Sequence, residues 1–264
     1  MKFFEHDAEA LFSARVDSLA DDDPIVARCA EIESRAWRPR EPFVRAMRKS
    51  DHLLWSASGD VVRGFALAAV SGGPGELVVS IDEAMVTPEL AGTHVVSRLF
   101  WAAACGVTAF AAERRAKRIV FFALTSSARL ITAFYKYRFL LPEHSFDPSD
   151  ATAALARAYL DRRGLEPLVP GSTTWVRGAF PAGVREGEPQ LPDAPLPPGF
   201  DARGRGDALL MIGAIPTAVA RPIVLARHAA LSMTTKGRNV TLPWTDPPKA
   251  GRPDGEWTDP DDEC

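Results

Sequence analysis

A mixed α/β fold with a mostly antiparallel central sheet flanked by helices is predicted by three features of this sequence. Helical periodicity before residue 50 gives way to three extended apolar runs joined by short Gly-rich links. A long amphipathic stretch then leads to a fourth run, RIVFFAL at 118–124, with the length and polarity of a helical crossover. Beyond Pro142 the chain turns rich in Pro and Gly, which reads as a long Pro-rich C-terminal insertion before the apolar strand DALLMIGAI at 207–215.

Residues 1–50 read as helical apart from a short candidate strand at 2–5. Ile25, Cys29, Ile32 and Trp37 are spaced for one buried helix face, and a second short helix covers 41–48. Strands are expected at 52–56, 61–70 and 76–86. The links Ser58-Gly59-Asp60 and Ser71-Gly72-Gly73-Pro74-Gly75 make these antiparallel hairpins, because short Gly-rich connections reverse the chain cheaply. After Gly92 a helix turns Val95, Leu99, Phe110 and the small Ala102, Ala103 and Gly106 toward the sheet. Ser126 or Ser127 caps the next helix, 128–137, with Phe134 and Tyr137 packing inward and Tyr135 partly exposed. Ser149 precedes a helix at 150–163 that stops at Gly164.

Between 165 and 206 only TTWV at 173–176 looks like a strand, so most of that stretch is expected to be irregular. A last helix is expected at 220–233, with Pro222 in its first turn, where a missing amide is harmless. Residues 245–264 hold seven acids, two bases and four Pro, the composition of a disordered tail. The domain reading is one domain at 1–215 containing an insertion at 143–206, a C-terminal helix at 216–240 and an acidic tail at 241–264.

The totals narrow the function classes. With 264 residues, 46% of them hydrophobic, the chain can bury one sizeable core. A net charge of -3 supplies no field for holding nucleic acid, and the cluster ERRAKR at 113–118 ends a helix, where cations suit the dipole. Cys29, Cys105 and Cys264 lack metal-ligand spacing and fit the reduced thiols of a cytoplasm. The N-terminal MKFFEHDAEALF is charged where a signal peptide needs an apolar core. No run approaches the ~18 apolar residues of a membrane span, so neither export nor insertion is expected. The five His residues are scattered, and neither G-x-S-x-G nor C-x-x-C occurs, so no metal and no serine-hydrolase elbow are expected.

The most informative stretch is VTPELAGTHVVSRLF at 86–100, where a strand breaks at Pro88, turns through Gly92 and enters a helix. The first amides of a helix lack intrahelical partners and the dipole adds partial positive charge, so a phosphate can sit there without a basic side chain. The order of elements up to Pro142, together with this loop, resembles the GCN5-related N-acetyltransferases over roughly half the chain. In that family the loop runs Q/R-x-x-G-x-G/A after V-x-P. Val86-Thr87-Pro88 fits, and it places Ala91, His94 and Val96 where the family has Arg or Gln, Gly, and Gly or Ala. All three depart from the pattern, while Gly92 matches the Gly that often follows the Arg. The resemblance implies an acyl-CoA, acetyl-CoA or longer, held by Met85, Val86 and the segment Gly92, Thr93, His94, Val95, Val96 and Ser97, with Ser127 and Phe134 from the later helix.

Glu83 stands on a stripe with Leu77, Val79, Ile81 and Met85, and burial there would suit a carboxylate to accept an amine proton. The family often places a general base on this strand. A bulge turning Glu83 outward, or a salt bridge to a basic residue between 35 and 48, is the competing explanation. The family also places N-x-x-A and a Tyr before G-F on the fourth helix. Aligned on Phe139, this chain has Ser127, Leu130, Phe134 and Arg138 at those positions, and Tyr135 lies one residue, about 100°, from the expected place.

What the resemblance implies is transfer of an acyl group from a thioester to an amine, on a small molecule or a protein, with Glu83 taking the proton and Tyr135 protonating sulfur. The alternative is a catalytically inactive relative that works by binding, with Trp175, Phe180 and Phe200 of the 165–206 segment as anchors for a protein partner. A third reading makes the insertion a lid over the cleft.

Overall fold

The structure, a computed structural model, describes residues 9–36, 42–58, 60–72, 75–90, 99, 104, 107–108, 110–180 and 196–222. The chain divides into two compact units, one from Met1–Ala36, Glu41–Ile119 and Pro216–Cys264, the other from Trp37–Arg40 and Val120–Ile215. The described residues form the expected mixed α/β fold, with antiparallel strand pairing in both units.

In the first unit, β1 (Glu9–Arg15), β2 (His52–Ser58), β3 (Val61–Ser71) and β4 (Glu76–Val86) lie side by side in chain order. Strand β1 replaces the helix expected there; the short strand expected at 2–5 and the helix-face residue Trp37 lie outside the described residues. Its seven residues pair with β2 from Glu9↔Ser58 to Arg15↔His52, and Phe12 stacks on Trp55 with ring centroids 5.5 Å apart. Pairing with a strand remote in sequence overrides the helix-forming Glu, Ala and Leu of EALFSAR.

Helix α1 (Pro24–Ala36) begins as its sequence dictates: Asp23 accepts the Ile25 amide at 2.8 Å and Pro24 takes the first position, where no donor is lost. Its Val26, Cys29 and Ile32 pack with Phe43 and Met47 of α2 (Phe43–Arg48) onto Leu53, Trp55, Phe65 and Leu67. Burial of each such side chain contributes about 1.5–3 kcal/mol. Val16, Leu53, Phe65 and Leu67 are at most 3% exposed, which makes this interface the core of the unit.

Before the strand Arg118–Thr125 the helical residues 110–113 end on Arg115, a left-handed residue at φ 53°. The Ala116 amide bonds the Ala111 carbonyl at 2.8 Å and the Arg115 amide bonds the Ala112 carbonyl at 3.2 Å, the pair of bonds of a Schellman cap. The basic cluster at 113–118 therefore does end a helix. After the strand Ala208–Pro216 the helix begins at 217, earlier than expected, which moves Pro222 out of the first turn; residues from 223 lie outside the described ones.

The second unit orders its strands β5-β9-β8-β7, with β6 also on β9. These are β5 (Arg118–Thr125), β6 (Glu143–His144), β7 (Glu166–Pro167), β8 (Trp175–Arg177) and β9 (Ala208–Pro216), joined by α3 (Ala128–Tyr137) and α4 (Asp150–Arg162). Ser149 caps α4, accepting the Thr152 amide at 3.3 Å. Ser127 precedes α3 as expected but makes no side-chain capping bond to it, and its amide donates to Thr125 Oγ1 at 3.1 Å. The stretch expected to be irregular holds the short strand β7 as well as β8, and β6 lies earlier in the segment read as an insertion. Buried Phe122, Ile131, Tyr159, Leu160, Leu209 and Leu210 form its core, Phe122 stacking on Tyr159 at 5.3 Å. Among the described residues, no helix is long and apolar enough to cross a membrane.

Candidate active site

The register of β3 and β4 places Leu67 opposite Glu83 and Ala68 opposite Ile81, so Asp82 is an extra residue on β4. Such a bulge sets two residues against one and breaks the alternation of faces. Cross-strand partners share a face, so Glu83 and Met85 join Leu67 and Phe65 on the side that α1 and α2 cover. Val79 and Ile81 pair with Val70 and Ala68 on the opposite face. The single stripe expected from alternation is thus split, and the bulge turns Glu83 toward the helices rather than outward. Glu83 is half-buried with its Oε2 buried.

Asp82 reaches past β3 to Ser50, just beyond α2, whose hydroxyl donates to Asp82 Oδ2 at 3.4 Å. Beyond the bulge the strand surfaces: Leu77–Ile81 are buried, whereas Asp82 through Val86 are all half-buried. Val86 stands opposite Gly64, where an added Cβ would lie 2.8 Å from Val86 Cγ1, so the glycine gives Val86 its seat. The strand then passes through Thr87 into a short 3-10 turn at Pro88–Leu90, closed by the Leu90 amide on the Thr87 carbonyl at 2.9 Å. Gly92, Thr93, His94, Val95, Val96 and Ser97 lie outside the described residues.

Glu33 is absent from the sequence-derived candidates, although its place in the helix marks it. It is 2% exposed, and it follows Val26 by seven residues and Cys29 by four, in the middle of the stripe that α1 lays on β3 and β4. A carboxylate inside an apolar stripe is itself the signal. Cys29 beside it is inert by contrast, because burial pushes its thiol up to about 12, with Arg28 opposing only in part.

Ser127, Phe134 and Tyr135 belong to the second unit. Phe134 and Tyr135 are both half-buried and both meet Phe146, at 6.4 and 5.3 Å between ring centroids. Tyr135 follows buried Ile131 by one helical turn and is half-buried, in keeping with the partly exposed position expected. The Arg138 guanidinium lies 3.7 Å from the Tyr135 ring centroid, and its Nη1 donates to the Tyr135 carbonyl. Arg138, where the family pattern has Gly, therefore clamps the ring.

Trp175 is 6% exposed, meeting Phe200 at 5.2 Å and Phe146 at 6.2 Å. Two of the rings expected to anchor a partner are thus packed on each other. Asp207, 0% exposed, accepts Gly178 N–H at 3.0 Å, Asp201 N–H at 2.9 Å and Arg205 Nε–H at 2.8 Å. Burial works against its charged form, but the Arg205 bond, the two amides and the Arg205 charge outweigh it and hold the carboxyl below the usual range.

No family model matches the chain, and no curated protein matches it. Among solved structures it is similar to Arabidopsis thaliana Naa50 in complex with the bisubstrate analogue CoA-Ac-MVNAL, at 9% identity and TM-score 0.40 over 78% of this chain and 97% of that one. It is similar to the ribosomal-protein-S18-alanine N-acetyltransferase of Escherichia coli at 14% identity and TM-score 0.38, over 78% and 95% of the two chains. A GCN5-related N-acetyltransferase from Kribbella flavida matches at 18% identity and TM-score 0.32, over 52% of this chain and 34% of that one.

Proposed function

We propose that the protein transfers an acyl group from an acyl-CoA thioester to an amine. The observation that supports this reading best is the bulge at Asp82, after which β4 leaves the core with Glu83, Met85 and Val86 half-buried and runs into the Val86-Thr87-Pro88 turn. A strand end that surfaces beside a carboxylate and runs into a short 3-10 turn suits a ligand with an apolar arm and an anionic head. Met85 and Val86 supply the apolar side. These residue types fit acyl-CoA, which supplies an activated acyl carbon.

Glu83 accepts the proton that the acceptor amine loses as its nitrogen bonds to that carbon. Tyr135 donates a proton to the departing sulfur as the carbon–sulfur bond breaks, leaving an amide and free thiol. Solvent removes the proton from Glu83 and returns one to Tyr135.

Calorimetric titration of the purified protein with CoA, acetyl-CoA and a longer acyl-CoA tests this, alongside a Gly92→Trp variant that blocks the loop. Micromolar binding that the variant abolishes is expected. No heat and no thermal shift with any of the three, from a folded sample, would refute the reading.

A further inference from the structure

Strands β8 and β9 pair Trp175 with Leu209 and Val176 with Ala208, and the chain between them leaves and returns through a closed neck. Phe180 N–H bonds the Gly206 carbonyl at 2.9 Å. Gly206 sits at φ 76°, and an added Cβ would lie 1.6 Å from the Phe180 carbonyl oxygen, so the neck closes only over glycine. Asp207 ties both sides of this neck together through the Gly178 and Asp201 amides. Asp201 in turn accepts the Gly204 amide at 2.7 Å, and Phe200 N–H bonds the Pro197 carbonyl at 3.2 Å.

Residues 197–207 are thereby tied to the neck through Asp201 and Asp207, with the Phe200 ring against Trp175. From Phe200 an unbroken series of ring contacts leads to Tyr135. Phe200 meets Trp175 edge-on at 5.2 Å, Trp175 meets Phe146 at 6.2 Å, and Phe146 meets Tyr135 edge-on at 5.3 Å, 88° between planes. Arg138 covers Tyr135 at 3.7 Å. Rings in contact restrict one another's reorientation, and a lost ring is met by movement of its neighbours.

We propose that the loop at 197–207 is a positioning element for Tyr135, fixed by Asp207 and acting through Phe200, Trp175 and Phe146. Its consequence for catalysis rests on the acyl-transfer reading, in which Tyr135 is the proton donor.

The chain has three tyrosines, Tyr135, Tyr137 and Tyr159, so full-length protein labelled with 3-fluorotyrosine gives three fluorine resonances, assignable by single Tyr→Phe changes. Phe200→Ala and Asp207→Asn are each expected to shift or broaden the Tyr135 resonance and leave that of Tyr159, packed on Phe122, in place. Phe200→Trp, which restores a ring, is expected to return it. If Phe200→Ala disturbs all three signals, Phe200→Leu carries the same expectation with less loss of volume. An unmoved Tyr135 resonance in the folded Phe200 and Asp207 variants would overturn the proposal. Failure of the acyl-transfer reading would look different: adding CoA or acetyl-CoA would change no resonance, while Phe200→Ala would still move Tyr135.

Discussion

Glu83 shares its face of the sheet with Leu67, its partner across the strands, and not with Ile81, two residues before it on the same strand. One extra residue, Asp82, makes the difference. It carries the carboxylate into the layer between the sheet and α1, where Glu33 also lies buried, and frees the strand end beyond it from the core.

Replacing Glu83 by Gln keeps the shape and removes the base. If Glu83 accepts the amine proton, kcat should fall by about 10²-fold or more, the range for loss of a positioned general base. Acetyl-CoA affinity should be unchanged, because the acyl donor presents no proton to Glu83. Steady-state rates by release of free thiol, set beside calorimetric affinity, check this; an equal loss in both would make Glu83 a binding residue.

Much of the frame was legible from residue spacing. Strands read at 61–70 and 76–86 and found at Val61–Ser71 and Glu76–Val86, the bounds of α3 and the Ser149 cap follow from alternation, turn residues and capping chemistry, all of which are local. Strand β1 is not local: EALFSAR has no alternation to mark it, and only its register with β2 makes it a strand. The bulge is hidden for the same reason, since nothing in VSIDEAM signals an extra residue without β3 to count against. Glu33 could have been found, because its position on the Val26–Cys29 stripe is written in the sequence. The Trp175–Phe200 contact could not, because it depends on a neck closed by Asp207 between residues far apart in the chain.

Arg115 holds a cap position that favours glycine, at φ 53° with both Schellman bonds made. A side chain in the left-handed region costs about 1–2 kcal/mol, against about 0.4–1 kcal/mol of extra unfolded-state freedom for glycine. Arg115→Gly is therefore expected to stabilise the protein by about 0.5–1 kcal/mol. Urea unfolding should show a higher midpoint with an unchanged slope. A lower midpoint would mean that the Arg115 side chain contributes more than its backbone strain costs.

The Phe121 ring lies across Gly213, so that a Cβ added there would stand 2.0 Å from Cε1. Gly213→Ala must displace the ring, an overpacking cost of about 1–3 kcal/mol. In a Phe121→Leu background the same change should cost much less, and the double-mutant cycle should give a coupling of at least about 0.5 kcal/mol. Additive effects would show that the ring moves aside freely.

Asp207 should give the protein an acid-sensitive component of stability. Its folded-state pKa lies below the ordinary value, so its contribution is fully present above the unfolded pKa of about 3.9 and is lost as pH falls through the lower, folded value. At pH 7 Asp207→Asn should be less stable by about 2–3 kcal/mol, the scale of charge-assisted hydrogen bonds, since Asn offers one acceptor to a neck built for two. On acidification below about pH 4 the carboxyl of the unfolded chain takes up its proton before that of the folded protein does, and the gap between the two proteins should narrow. Urea midpoints measured from pH 7 downward follow both curves. A gap of constant size would mean that the shape of the side chain, and not its charge, closes the neck between Gly178 and Asp201.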